Sequence, residues 1–149
     1  MNPTIARLYQ PPRSAAGFTL IELMIVTTIL AVIMTISVTS YRQYMLRANR
    51  TDAGAFLLRI AAAQERFYLD NNAYTDNLEA AGLNLGTLSE RSFYRATIDL
   101  NANPALGYTA TVVPVPGGRQ DTDQDCRSFT INESGQRDSA PSGMDVCWR

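Results

Sequence analysis

Residues Phe18 to Val38 form an apolar run of 21 residues that holds a single charge, Glu22. As a helix this run is about 31 Å long, the thickness of the hydrocarbon core of a bilayer. A carboxylate inside such a segment is costly and needs a partner. The chain itself supplies none. Arg13 lies before the run, and Arg42 is about 30 Å further along a helix. The partner of Glu22 is therefore lipid, water or another polypeptide. The plainer alternative is that Glu22, four residues from Phe18, reaches to the membrane edge.

The rest of the composition narrows the classes of function. The chain has 149 residues, and outside the run and its N-terminal extension about 110 remain, enough for one small domain. Thirteen basic residues, all Arg, face fourteen acidic ones, so the net charge of −1 makes no global case for a polyanionic partner. There is no His, which removes the commonest general base and metal ligand. The Ser residues lack a His partner and the two Cys are not a Cys-x-x-Cys pair, so no catalytic set, cofactor site or metal site is expected.

Residues 1–17 contain Pro3, Pro11 and Pro12, two Arg and no acid. They read as a short basic extension on the cytoplasmic side of the span. Small residues precede the apolar run rather than follow it, unlike a secretory signal, so cleavage there would retain the helix. Arg7 and Arg13 flank one end of the span, and Arg42, Arg47 and Arg50 the other, which leaves the positive-inside rule nearly neutral.

Beyond Val38, the residues Tyr41, Tyr44, Met45, Ala48, Phe56, Leu57, Ile60, Ala63, Phe67 and Tyr68 recur at helical spacing. No Pro interrupts Phe18 to Asp70, so one helix can run through both halves, with Thr35–Ser40 and Gly54 as its weak points. Asp76-Asn77-Leu78-Glu79 and Gly82 suggest one helical turn in the connection that follows. Three alternating stretches then read as strands: Tyr94 to Leu100, Tyr108 to Val113, and Ser128 to Asn132. The expected fold is α+β, with a small antiparallel sheet packed on the amphipathic residues 39–70. The tail, Glu133 to Arg149, reads as loop-rich with little secondary structure. Cys126 and Cys147 are either two buried thiols or a disulfide. A disulfide would close a loop worth about 3 kcal/mol, pin the tail, and place this region in an oxidising compartment.

Gly17-Phe18-Thr19-Leu20-Ile21-Glu22 resembles the prepilin motif of type IV pilins and pseudopilins. The layout around it is similar over the whole chain: a leader, an apolar helix, an amphipathic continuation, a sheet and a C-terminal Cys pair. Gly107 to Val112, Asp125-Cys126, Gly135 and Cys147-Trp148 look most like minor pilins of the PilE type. The resemblance implies the type IV pilin fold, with residues 1–17 as leader, 18–38 as transmembrane and assembly helix, 39–70 as its amphipathic half, and 71–149 as a periplasmic or extracellular globular region. It also implies cleavage between Gly17 and Phe18 by a prepilin peptidase and N-methylation of Phe18. Glu22 would pair with the Phe18 amine of a neighbouring subunit, and Cys126 would bond Cys147. The expected partners are major and minor pilin subunits and the inner-membrane assembly machinery. The chain would stand in the inner membrane before assembly and in the surface fibre afterwards, supporting pilus initiation, twitching and adhesion. Two departures are Ala16, where a basic residue usually precedes the Gly, and a long leader. The alternatives are a pilin-type receptor for DNA uptake and a secretion pseudopilin.

Three further signals are weaker. Asp121-Thr122-Asp123-Gln124-Asp125 spaces its acids like a calcium loop, but position six is Cys126 and position twelve Asn132, so a solvated acidic turn is the better reading. Arg42, Arg47 and Arg50 suit lipid phosphates, acids of a next subunit, or a solvated face. Residues 101–149 hold four Arg and six acids, which disfavours a phosphate-binding surface.

Overall fold

A computed structural model describes residues 17–148, so most of the 1–17 leader, with Arg7 and Arg13, lies outside the described residues. The elements are α1 (Leu20–Asn71), β1 (Tyr94–Leu100), β2 (Tyr108–Pro114), a 3-10 turn (Arg119–Thr122), β3 (Cys126–Asn132), β4 (Arg137–Pro141) and α2 (Met144–Cys147). The chain divides into two units between Thr39 and Ser40, and each is described separately.

In the first unit α1 is apolar on every side. Its best 18-residue window has a mean hydropathy of 2.3 and none of it is buried. The hydroxyls in this half bond back to the helix itself. Thr27 and Thr28 donate to the Met24 carbonyl, Thr35 to Val32 and Ser37 to Ile33. Each of these four hydroxyls is thereby satisfied without an outside partner, as an apolar surrounding requires. Thr35–Ser40, expected to be a weak point, is continuous helix.

The second unit is built on Asn49–Gln64 of α1. Ala53, Phe56, Leu57 and Ile60 are almost completely buried, at i, i+3, i+4 and i+7. They share one core with Tyr94, Ala96 and Ile98 of β1, Tyr108, Ala110 and Val112 of β2, and Phe129 and Ile131 of β3. Strand alternation puts these side chains on one sheet face, because successive residues point to opposite sides. The sheet is an antiparallel meander in the order β1-β2-β3-β4. Its register places Thr97, Thr111, Thr130 and Asp138 in one row across the opposite face.

Helix α1 stops at Asn71 because Asn72 takes a left-handed conformation at φ 52°, one of the few residue types that adopts it readily. Tyr74 then stacks between Tyr68 and Tyr108, with ring centroids 4.7 and 4.9 Å apart, and folds the connection back onto the core. Gln64, fully buried, accepts from the Thr75 amide at 3.1 Å and donates to the Thr75 carbonyl, which extends the attachment.

Two expectations are corrected here. Residues 76–82 form turns rather than a helical turn. Asn77, not Asp76, caps the segment by accepting from Glu79 N at 2.9 Å, and Leu83 N donates to the Asn77 carbonyl at 2.9 Å. That carbonyl would lie only 2.0 Å from a Cβ at position 82, so only glycine fits there. The tail is not loop alone either. Asn132 and Gly135 close a turn that returns the chain as β4, and α2 follows.

One carbonyl of β4, the last strand of the sheet, is capped by the C-terminal segment. Trp148 Nε1 donates to the Asp138 carbonyl at 2.9 Å, and its ring stands edge-on to Phe129 at 5.9 Å. The Arg137 guanidinium lies 5.1 Å above the same ring, and Gly54 of α1 faces it.

Candidate functional site

The first cluster of interest is the start of α1. Thr19 caps the helix by accepting from the Glu22 amide at 3.2 Å, the Thr-x-x-Glu spacing of a capping box. Helical structure therefore begins at Leu20, and Gly17 and Phe18 precede it outside any regular element. Phe18 is 84% exposed and a Cβ at Gly17 would meet nothing within 4 Å. Glu22 sits in the first turn, where the helix dipole favours an anion. Among the described residues it has no ion-pair or side-chain hydrogen-bond partner. The two residues of the predicted junction and the predicted assembly carboxylate thus lie within six consecutive positions, exposed together.

The second cluster straps the turn between β2 and β3 onto α1. Arg50, only 4% exposed, donates from Nε to Asp123 Oδ2 at 2.7 Å and from Nη2 to Asp123 Oδ1 at 2.8 Å. This is the two-point geometry that makes guanidinium–carboxylate pairs strong. Arg50 Nη1 also donates to the Val146 carbonyl at 3.3 Å, which ties in the C-terminal segment. The bond to Asp123 raises the guanidinium pKa above its ordinary value, against the opposing effect of burial.

One helical step away, Asn49 donates to Gln120 Oε1 at 3.1 Å. Gln120 Nε2 in turn donates to the Tyr94 hydroxyl at 2.9 Å and to the Leu46 carbonyl at 3.1 Å. Burial pushes the Tyr94 phenol up to about 12, so it stays protonated across the ordinary pH range. Cys126 and Cys147 are bonded, with Cα atoms 5.8 Å apart. Both are buried, so the disulfide closes the base of the same cluster.

These contacts correct two further expectations. Arg50 does not reach lipid or a neighbouring subunit, because its side chain is spent inside the unit. Asp121–Asp125 is not a uniformly solvated acidic turn, because Asp123 is 1% exposed. Both Asp123 oxygens are occupied by a guanidinium, which takes the place a calcium ion would need. Sequence spacing did hold the clue. Arg50 falls on the same helix stripe as Ala53, Leu57 and Ile60, where a cation requires a buried anion.

A family model described as type IV minor pilin ComP, DNA uptake sequence receptor, matches residues 39–130. The chain belongs to this type IV minor pilin family. A second model, the prokaryotic N-terminal methylation motif, matches residues 12–38 of the pilin. The pilin is 42% identical over 77 residues to the type IV wide pilus major component PilA4 of Thermus thermophilus, covering 52% of this chain and 58% of that one. It is 33% identical over 67 residues to the type IV major pilin PilE1 of Neisseria gonorrhoeae, covering 45% of this chain and 41% of that one. The pilin thus spans less than two thirds of either relative. In fold it is similar to a type IV pilin from Shewanella oneidensis, with a TM-score of 0.50 and 24% identity over 70% of this chain and 98% of that one. Proteins of this family are structural rather than enzymatic. The clamp residues Asn49, Arg50, Gln120 and Asp123 all lie inside the stretch matched by the minor pilin model, whereas Cys147 and Trp148 lie beyond it.

Proposed function

We propose that this chain is a minor subunit of a type IV pilus, drawn from the inner membrane into a filament by its apolar helix. The observation that carries this reading is Glu22, a carboxylate in the first turn of an exposed apolar helix with no partner among the described residues. Cleavage after Gly17 frees the amine of Phe18, which the peptidase then methylates, leaving a cation beside a ring at the helix start. In a bundle of such helices the amine of one subunit meets Glu22 of the next. Each charge alone in a low dielectric is costly and their meeting removes that cost, so the pair fixes one axial register. Glu22→Ala is expected to leave the protein cleaved and membrane-inserted but to lower its amount in sheared filaments at least tenfold. Normal incorporation would show that the carboxylate does not set the register.

A second reading, display of a DNA receptor on the pilus, is supported by the description of the matched family. The overall charge argues against a broad phosphate surface, with eleven Arg and thirteen acidic residues over 39–149. A local patch would have to use exposed arginines without an acidic partner, and Arg91, Arg95 and Arg119 are such residues among those described. If this reading holds, the protein binds duplex DNA with a salt-dependent affinity, and charge removal at these three positions flattens the salt slope by about one unit each. Equal weak binding by the wild type and the triple variant would remove it.

A further inference from the structure

Between the apolar run and the first buried helix residue, Asn49, lies a short segment of α1 that contributes nothing to the core. Tyr41 and Tyr44 there are 64% and 68% exposed, and Arg42 and Arg47 are exposed without an ion-pair partner among the described residues. We propose that Tyr41, Arg42, Tyr44 and Arg47 form a collar that binds the phosphate headgroups of anionic phospholipids. The inference rests on the reading that residues 18–38 cross a bilayer.

Three observations converge on a lipid headgroup. The first is position. The collar begins three residues after Val38 and extends about 9 Å along the helix, comparable to the headgroup layer on one side of a bilayer, about 5–7 Å. At about 100° per residue Tyr41, Tyr44 and Arg47 lie within an arc of about 120°, while Arg42 projects about 140° away from Arg47, so the two cations leave the helix on different sides. Cations on two sides of a helix suit a surrounding layer better than a single docked protein. The second is composition. Tyr with Arg is the pairing that settles at membrane interfaces, the ring at the boundary and the guanidinium on phosphate oxygens. The third is charge. No acidic residue occurs between Glu22 and Asp52, so nothing on this stretch neutralises the two cations. Arg50, the third cation nearby, is withdrawn to Asp123. A second copy side by side would bring its own Arg42 and Arg47 to the same height, which repels; headgroup phosphates attract.

The test uses the full chain reconstituted in phosphatidylcholine vesicles with a trace of spin-labelled phosphatidylglycerol or spin-labelled phosphatidylcholine. The motionally restricted lipid fraction is measured in each case. The wild type is expected to prefer phosphatidylglycerol by roughly two- to fivefold, a preference reduced by high salt. R42Q/R47Q is expected to bring the ratio close to one, and R42K/R47K to retain most of it. Trp148 emission, unchanged in all three, reports that the folded unit is intact. Equal association of the two lipids with the wild type, or an undiminished preference in R42Q/R47Q, overturns the collar. Selectivity lost only when a second subunit is co-reconstituted also overturns it, in favour of a subunit contact. A chain that yields no restricted lipid at all has not inserted, and that result removes the membrane-spanning reading together with the collar.

Discussion

Arg50→Ala is expected to destabilise the folded unit by about 3–5 kcal/mol, the cost of leaving a buried carboxylate without its cation. Asp123 is 1% exposed and has no second cation within reach among the described residues. The neighbouring ion pair gives the contrast. Asp125 also contacts Arg50, at 3.5 Å, but its side chain is 58% exposed. Asp125→Asn is therefore expected to cost less than about 1 kcal/mol, because water screens a partner that stays solvated. Thermal unfolding of the detergent-solubilised chain, followed by circular dichroism, measures both. A replacement of the pair by apolar groups, Arg50→Met with Asp123→Leu, is expected to recover much of the loss, since the charges are costly mainly when separated. A loss below about 1 kcal/mol for Arg50→Ala would mean that water reaches Asp123 and that the clamp is a surface contact.

The second large effect is expected from the disulfide. Cys126→Ala with Cys147→Ala frees a loop whose ends are 21 residues apart, which costs about 3 kcal/mol by chain entropy. For a unit of this size that corresponds to a fall in melting temperature of about 12–24 °C. The damage should be local first. The C-terminal segment is also held by Arg50 on the Val146 carbonyl, by Trp148 on the Asp138 carbonyl, and by the pairing of β4 with β3. The disulfide is thus one of several tethers rather than the sole pin of the tail that the sequence suggested. Trp148 is the only Trp in the chain and lies at the end of this segment. Its emission is expected to shift to the red in the double variant before helical dichroism falls. Unfolding midpoints within 3 °C of each other, a difference of about 0.5 kcal/mol, would show that the other tethers suffice.

Helix α1 and strands β1 to β3 were legible because each buries one face and so carries a strong period, 3.6 in Ala53–Ile60 and 2 in Tyr94–Leu100. β4 was not. Arg137-Asp138-Ser139-Ala140-Pro141 buries only Ser139, so no apolar alternation exists to be read. The segment is a strand because β3 offers a partner and the turn at Asn132–Gly135 delivers it, both of which are tertiary facts. The assignments at Gly17, Phe18 and Glu22 have the opposite basis. They depend on a local motif and an uninterrupted apolar run, and the structure adds only their exposure and the Thr19 cap. The clamp lay between these extremes. Arg50 and Asp123 are 73 residues apart, and a charged residue in an amphipathic helix is usually a solvated one. Its place on the apolar stripe was the signal, outweighed by its proximity to Arg42 and Arg47.

The bond from Trp148 to β4 has a consequence for crowding. In the proposed fibre, subunits would be held side by side at high local concentration for as long as the fibre lasts. An open strand edge in that setting would recruit its neighbour's edge and lock copies together in ways that retraction could not undo. By spending its indole proton on the Asp138 carbonyl, Trp148 removes one acceptor from that edge.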